Sequence, residues 1–227
     1  MTTIVICSSP RKENYIHRLL GTINENIKIH FIVSGNDTEY LSQYSKSPNI
    51  FITSVSMDSS NSLVRQFINY KHCLSDGYVN GERGIFVIED DVKFAGGWRA
   101  RFDTIVSALE LKHGDKFVFS VFTSDTMCRN DSLPDCHYLE HKNVRAFHGT
   151  QGMYYPNTVR NMIMDYFSTV KESEITNYDV MIARELSKKN IPIYVAIPCL
   201  INHIGFKSTW SPINSTPVAT IFHPVIA

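Results

Sequence analysis

Three consecutive carboxylates, Glu89, Asp90 and Asp91, follow directly after the apolar run GIFVI. A short run of this composition predicts a buried strand, so the carboxylates stand at its carboxyl end. Two such charges about 4 Å apart repel by about 4 kcal/mol at an effective dielectric constant of about 20, and a bound divalent cation turns this repulsion into attraction. Because side chains alternate along a strand, Glu89 and Asp91 are expected on one side and Asp90 on the other. The cluster predicts a site for Mg²⁺ or Mn²⁺ that phosphate oxygens complete, with a solvated acidic turn as the alternative.

A second polar segment follows the first predicted strand, TIVIC, and consists of Ser8, Ser9, Pro10 and Arg11. Small hydroxyls and free backbone groups at this point could hold a nucleobase or ribose, and Arg11 could meet phosphate. A simple polar turn between a strand and a helix explains these residues equally well. No GxGxxG pattern follows the strand, which argues against a dinucleotide-binding Rossmann domain.

A third candidate is His203, which follows the last predicted strand, IPIYVAIP, and could reach the same cleft. Imidazole suits Mn²⁺ better than Mg²⁺. Taken alone, a histidine at such a position is more often structural or merely exposed.

The elements that must position these residues alternate between strand and helix in the first half of the chain. Asn14 and either Ser60 or Asn61 are suitable caps for two of the predicted helices. This alternation predicts an α/β fold with a mostly parallel sheet and helices on both faces. Ligands of such sheets bind beyond the carboxyl ends of the strands, where all the candidate residues lie. The polar stretch Asp125–His141 shows no periodicity and predicts a long surface loop.

Composition narrows the class of protein. The chain has 227 residues, 43% of them hydrophobic, with 22 basic against 22 acidic side chains, so we expect a globular protein that does not bind nucleic acid. No apolar stretch approaches the roughly 18 residues of a membrane helix, and no signal peptide is indicated. The five cysteines are widely spaced and form neither a disulfide framework nor a CxxC zinc pattern. We therefore expect a soluble, cytoplasmic protein without a transmembrane segment.

Five segments, in this order, together resemble the GT-A fold of nucleotide-sugar glycosyltransferases: IVICSSPR, FVIEDDV in place of the usual D-x-D, HGTQGMYYP, NYDVMIAREL and PCLINHIGFKSTW. The acidic and late-histidine motifs resemble enzymes of lipopolysaccharide and glycan assembly. The whole is also similar to a glycosyltransferase domain in the glycan-building proteins of large algal viruses (chloroviruses). The resemblance implies a GT-A-like Rossmann-type α/β/α sandwich in a single domain, 1–227. Its nucleotide-binding half would be 1–123, its acceptor-side half 124–210 and its irregular tail 211–227.

The resemblance also implies roles for individual residues of the donor site. Those that would line the nucleoside or face the donor sugar and its diphosphate are Ser8, Ser9, Pro10, Arg11, Arg65, Asp90 and Gly152. For Arg65, the alternative is a surface arginine whose stem lies along apolar neighbours.

The metal site that the resemblance implies consists of Asp91, Glu89 and His203, with Asp90 as a further direct or water-mediated contributor. Asp179 would be the catalytic residue near the acceptor, either as a general base or as a stabiliser of an oxocarbenium-like centre. Its alternative role is that of a helix-terminal aspartate stabilised by the macrodipole.

The activity implied is metal-dependent transfer of a hexosyl group from a UDP-sugar to a hydroxyl of a glycan or glycoprotein acceptor, with Mn²⁺ or Mg²⁺. The E-D-D motif with a late histidine favours retention of the anomeric configuration. A viral member would act in the host cytoplasm. One alternative is a sugar-phosphate nucleotidyltransferase, although the glycine-rich loop usual after its first strand is missing. Another is a non-catalytic carbohydrate-binding module, in which the repulsion within the acidic cluster would have no compensation.

Overall fold

The computed structural model describes residues 3–10, 14–23, 26–122, 137–142, 147 and 150–205. Over these residues the chain forms a mixed α/β fold in which a large central sheet, mostly parallel, is flanked by helices. This confirms the predicted fold class. The predicted nucleotide-contacting Arg11 and the predicted tail, 211–227, lie outside the described residues.

The first half of the chain builds the parallel part of the sheet. Its elements are β1 (Thr3–Ser8), α1 (Ile16–Leu20), β2 (Lys28–Ser34), a 3-10 turn (Glu39–Leu41), β3 (Ile50–Val55), α2 (Ser62–Ser75) and β4 (Gly84–Glu89). The four strands lie in the order β3-β2-β1-β4, and all three pairings are parallel. Their carboxyl ends therefore meet at one edge of the sheet.

The second half extends the sheet and adds a small ribbon. Its elements are β5 (Val92–Phe94), α3 (Trp98–His113), β6 (Val118–Ser120), β7 (Tyr138–Glu140), β8 (Gly152–Pro156), α4 (Asn157–Thr169), a 3-10 turn (Glu172–Glu174), α5 (Tyr178–Lys188), β9 (Ile193–Ala196) and β10 (Ile201–His203). The sheet continues from β4 as β8-β6-β9-β7. Strand β8 is antiparallel to both β4 and β6, and β7 is antiparallel to β9.

Local sequence explains why the central elements form. Ile85, Phe86, Val87 and Ile88 are at most 2% exposed, because β4 is paired on both sides and covered on both faces. Helix α2 begins where the Asn61 side chain accepts a 2.9 Å hydrogen bond from the Leu63 N–H, so the structure selects Asn61 over Ser60 as its cap. Asn14 accepts a similar bond of 2.9 Å from the N–H of Ile16 at the start of α1.

Two predictions about the later strands are wrong. The last strand is not IPIYVAIP but β10, which pairs antiparallel with β5 in a separate two-stranded ribbon. His203 therefore does not project from a strand of the main sheet. In addition, β7 forms at the end of the stretch Asp125–His141 predicted to be a loop, while residues 125–136 of that stretch lie outside the described residues. Both β7 and β10 have only three residues, which is too short for a visible side-chain period.

An aromatic cluster anchors the ribbon beneath the carboxyl end of β4. The ring of Phe94, in β5, stacks on Trp98 at a centroid distance of 4.1 Å, and Phe86 packs against Phe102 at 4.9 Å. These side chains are buried on one face of the sheet. Aromatic contacts of this kind stabilise a fold beyond what their buried area contributes, so this cluster fixes β5 against β4 and thereby the turn between them.

Among the described helices, none combines the length and hydropathy required to cross a bilayer.

Candidate metal and nucleotide site

Glu89, Asp91 and His203 converge at the carboxyl end of β4. Glu89 ends that strand, Asp91 lies in the turn before β5, and His203 pairs with Val92 across the ribbon. The Nε2 atom of His203 lies 3.2 Å from Asp91 Oδ2 and 3.8 Å from Glu89 Oε2. One ligand atom from each residue falls within 4.8 Å of the others. The structure thus brings together the three residues predicted to form the metal site.

The chemistry of this group fits a divalent cation. Two carboxylate oxygens and one imidazole nitrogen are a donor set that first-row divalent metals accept. The Asp91 and His203 side chains are only 7% and 11% exposed, so a charge between them is poorly screened by water. The Ile204 N–H donates a 2.8 Å hydrogen bond to the Asp91 carbonyl, which fixes the turn against the ribbon. The described residues therefore include a group able to hold a divalent metal.

Asp90 points away from this group, as the alternation along the chain predicts. Its Oδ2 accepts a 2.6 Å hydrogen bond from Ser8 Oγ and a 3.3 Å hydrogen bond from the Ser9 N–H. Ser8 Oγ also lies 2.8 Å from the hydroxyl of Tyr40, in the 3-10 turn after β2. Asp90 and Ser8 are 3% and 1% exposed. The end of β1 and the acidic turn after β4 are therefore one hydrogen-bonded unit.

Helix α2 lies against the same edge of the sheet. The Nδ2 of Asn69 donates to the Ser8 carbonyl at 3.3 Å and to Cys7 Sγ at 3.1 Å. Arg65 lies one turn earlier on the same face of the helix, nearer the carboxyl ends of the strands, and its Nη1 is 3.5 Å from the Ser59 carbonyl. Arg65 is thus one helical turn from a residue that contacts Ser8. Its predicted contact with the donor stays a prediction.

Strand β8 brings further polar groups beside Glu89. The Glu89 N–H donates to the Gln151 carbonyl at 3.1 Å, one position beyond the pairing of Ile88 with Gly152. Cross-strand neighbours share a face, so Gln151 lies on the side of the sheet to which Glu89 points. Gly152 points the opposite way, and a Cβ there would meet Ile201 Cδ1 at 2.7 Å. Close packing accounts for this glycine, and its predicted role in donor binding stays a prediction.

Tyr178 and Asp179 open helix α5 on the Glu89 side of the sheet. Burial, followed by the negative charge of Glu89, raises the pKa of the Tyr178 phenol well above its usual range. Thr150 Oγ1 donates a 3.1 Å hydrogen bond to that phenol oxygen. The charge of Asp179, the next residue along the chain, raises the same pKa by a smaller amount. Asp179 lies in the first turn of α5, and its Oδ1 accepts from the Val180 N–H at 2.7 Å.

Several residues of this site are absent from the sequence-based prediction, among them Tyr40, Asn69, Gln151 and Tyr178. Gln151 and Tyr178 lie within two of the segments on which the sequence resemblance is based, directly before Gly152 and Asp179. Their position next to predicted site residues is the only feature of the sequence that could have indicated them. Tyr40 and Asn69 reach Ser8 only through the folding of β1, β2 and α2 together. Pro10 ends the described segment that contains Ser8 and Ser9.

Comparison with known proteins finds no matching family model and no matching curated protein. Similar solved structures do exist. The glycosyltransferase GlyE of Streptococcus pneumoniae TIGR4, in its apo form, gives a TM-score of 0.50 at 13% identity over 96% of this chain and 57% of GlyE. The galactosyltransferase LgtC, solved with donor and acceptor sugar analogs, gives 0.49 at 10% identity over 80% of this chain and 70% of LgtC. A 4-diphosphocytidyl-2C-methyl-D-erythritol synthase gives 0.48 at 10% identity over 86% of each chain.

The likeness to GlyE describes a class of fold. The central sheet and its flanking helices match the GT-A type of Rossmann-like fold. This chain spans little more than half the length of GlyE. At such low identity the likeness describes the fold alone, and the activity has to be argued from the site.

Proposed function

We propose that this protein is a divalent-cation-dependent glycosyltransferase that moves a sugar from a nucleoside-diphosphate donor, a UDP-sugar, to a hydroxyl of a glycan or glycoprotein acceptor. The observation that carries this proposal is the convergence of Glu89, Asp91 and His203 at the carboxyl end of β4. Next to this metal group, the hydrogen bond between Ser8 and Asp90 joins the carboxyl ends of two paired parallel strands, β1 and β4. Ligands of open α/β sheets bind at this edge.

Asp91 and His203, with Glu89, would hold the cation, which we propose to be Mn²⁺ because imidazole is among its ligands, with Mg²⁺ as the alternative. When bound, the cation would supply charge neutralisation to a diphosphate leaving group and orient it. Without it, the carboxylates of Glu89 and Asp91 would repel a nucleoside diphosphate, so donor binding should require the metal.

Ser8, Ser9 and Pro10 would contact the nucleoside. Asp90 supports this assignment, because it accepts hydrogen bonds from Ser8 and from the Ser9 backbone and so fixes the end of β1. Tyr40 contributes an aromatic ring whose hydroxyl contacts Ser8. Arg65, and Arg11 beyond the described residues, would meet the diphosphate or a sugar hydroxyl with their guanidinium groups.

Asp179 is the residue that we propose to act on the acceptor side. Its carboxylate would either take the proton of the acceptor hydroxyl or stabilise positive charge at the anomeric carbon. We favour the stabilising role, together with retention of configuration, in which a phosphate oxygen of the leaving group helps to deprotonate the acceptor. Helix α5, whose first turn contains Asp179, packs on the face of the sheet to which Glu89 points, and this supports placing Asp179 on the cation side.

We also propose a cytoplasmic location and a role in glycan biosynthesis. The free thiols of Cys7, Cys73 and Cys199 are compatible with a reducing compartment. A viral origin, which the resemblance to algal-virus proteins implies, would put this activity in the host cytoplasm.

The experiment that tests the function is a panel of nucleotide sugars incubated with Mn²⁺, in which release of free nucleoside diphosphate is measured with and without acceptor glycans. A glycosyltransferase releases UDP from one donor slowly by hydrolysis and faster with an acceptor, and EDTA stops both reactions. Formation of pyrophosphate from UTP and a sugar 1-phosphate would instead identify a nucleotidyltransferase. Carbohydrate binding without any nucleotide turnover would identify a non-catalytic module.

A further inference from the structure

Gly205 lies directly against the carboxylate of Asp91. A Cβ atom built on Gly205 would overlap Asp91 Oδ2 and would come within 3.0 Å of Asp91 Cγ and 3.2 Å of Asp91 Cβ. These three atoms are its nearest neighbours, and all belong to one side chain. Gly205 is buried, so no space toward water relieves this contact.

Space, and not backbone conformation, is what requires glycine at this position. Among the glycines that the structure describes, those with positive φ are Gly35, Gly81, Gly97 and Gly114, and Gly205 is not one of them. Its backbone is therefore in a region open to residues with a side chain. The requirement comes from the carboxylate beside it.

The oxygen against which Gly205 packs is the one that faces the histidine. Asp91 Oδ2 is both the atom 3.2 Å from His203 Nε2 and the atom that a Cβ on Gly205 would overlap. Ile204, which lies between His203 and Gly205 in the chain, donates its N–H to the Asp91 carbonyl at 2.8 Å. Three successive residues thus contact Asp91: His203 and Gly205 contact its carboxylate, and Ile204 contacts its backbone.

We propose that Gly205 is a positioning residue for the metal group. By having no side chain, it allows the Asp91 carboxylate to keep the orientation in which it converges with Glu89 and His203. The backbone of Asp91 is fixed by Ile204, so a methyl group at position 205 would have to be accommodated by rotation of the carboxylate away from the histidine. This inference deepens the proposed function, since it concerns the cation at that same site.

A double-mutant cycle without any metal tests the contact itself. The variants are Gly205→Ala, Asp91→Ala and the double variant, and the measurement is the midpoint of thermal unfolding. Asp91→Ala removes Oδ2 and Cγ, two of the three atoms that the new methyl would meet. We expect Gly205→Ala to lower the midpoint clearly when Asp91 is present and much less when it is alanine. An equal loss in both backgrounds would overturn the proposal.

The cycle also covers the case in which Gly205→Ala does not fold. Recovery of a folded protein in the double variant would then support the proposal. A double variant that stays unfolded, while Asp91→Ala alone folds, would overturn it.

Mn²⁺ titration of the folded variants tests the consequence for the cation. Gly205→Ala should weaken Mn²⁺ binding by at least tenfold. Gly84→Ala is the matched control, because Gly84 is also buried but lies at the amino end of β4, where an added Cβ would meet Tyr154 and Tyr155. Its Mn²⁺ affinity should equal that of the unmodified protein. Undiminished Mn²⁺ affinity in Gly205→Ala would overturn the proposal for Gly205. A wild-type protein that binds no Mn²⁺ would instead overturn the proposed function, and the metal-free cycle would still test the contact between Gly205 and Asp91.

Discussion

Ser8 donates a 2.6 Å hydrogen bond from its Oγ to the carboxylate of Asp90, although 82 positions separate the two residues. The parallel register of β1 and β4, in which Cys7 pairs with Glu89, brings them together. Both side chains are almost completely buried. A charge-assisted bond away from water is strong and directional, so the end of β1 and the acidic turn cannot move independently.

Replacing Ser8 by alanine should therefore destabilise the protein measurably. The buried Asp90 carboxylate would lose its shorter hydrogen bond and keep the 3.3 Å bond from the Ser9 N–H, at a cost of about 1.5–3 kcal/mol. Urea unfolding measures this loss. Ser9→Ala is the control, since Ser9 contributes its main-chain N–H and alanine retains that group. Equal stability of Ser8→Ala and the wild type would contradict the importance of the bond.

The loop after β1 should select the base of the nucleotide. If Ser8, Ser9 and Pro10 contact the nucleoside, UDP with Mn²⁺ should raise the melting temperature by preferential binding to the folded state, and ADP should raise it much less. Differential scanning fluorimetry with the two nucleotides at equal concentration measures the difference. Equal stabilisation by UDP and ADP would show that the loop does not discriminate between bases.

Neutralising one aspartate of the turn at a time should separate metal binding from nucleotide binding. Asp91→Asn should retain the fold and lose most Mn²⁺-supported UDP binding, because Asp91 Oδ2 lies 3.2 Å from the predicted histidine ligand. Asp90→Asn should keep Mn²⁺ binding, since its carboxylate faces Ser8 and Ser9. Isothermal titration of each variant with Mn²⁺ measures this difference in metal binding. UDP binding that is indifferent to EDTA in the unmodified protein would argue against a metal site altogether.

Removal of the imidazole should weaken metal binding much more than it changes nucleoside binding in the absence of metal. We expect His203→Ala to reduce Mn²⁺ affinity by about tenfold or more, equivalent to about 1.4 kcal/mol. Metal-free nucleoside binding should change far less. Asn202→Ala is a suitable control, because alternation along β10 directs its side chain to the other face of the ribbon. If both variants bind Mn²⁺ as the wild type does, His203 has a structural role.

A buried tyrosine pair on the Glu89 side of the sheet should make the protein sensitive to alkali. The hydroxyls of Tyr70 and Tyr155 are 2.8 Å apart, and burial raises the pKa of both phenols above the usual value of 10. Above that pH the unfolded chain loses these protons and the folded chain keeps them. The stability contributed by the neutral phenols is thus complete below pH 10 and declines as the pH rises further.

The double variant Tyr70→Phe, Tyr155→Phe should flatten this decline. Urea unfolding at about pH 9 and about pH 11 gives the comparison, and the double change avoids leaving one hydroxyl buried alone. Tyr138→Phe, in β7, is the control for loss of a single phenol elsewhere. An unchanged pH dependence in the double variant would mean that other groups cause the alkaline loss.

Sequence alone was sufficient for those parts of the site whose causes are local. The apolar run before Glu89 predicted β4, because a strand paired and covered on both faces needs continuous hydrophobicity. Alternation along the chain predicted that Asp90 points away from Glu89 and Asp91, as the structure confirms. Asn61, one of the two predicted starts of α2, caps that helix by accepting from a backbone N–H only two positions away. Asn14 makes the same local bond to the Ile16 N–H, although the N-cap residue of α1 is Tyr15.

Tertiary structure alone decided which distant residues meet. The ribbon of β5 and β10 brings His203 to Asp91, yet each strand has three residues, too few to carry a period. Tyr40 and Asn69 reach Ser8 only because β2 and α2 pack beside β1. Gly205 contacts Asp91 because the pairing of β10 with β5 brings the residues after β10 to the acidic turn. Pairing across the chain depends on the summed packing of many residues, whereas helix starts and buried strands depend on neighbours in sequence.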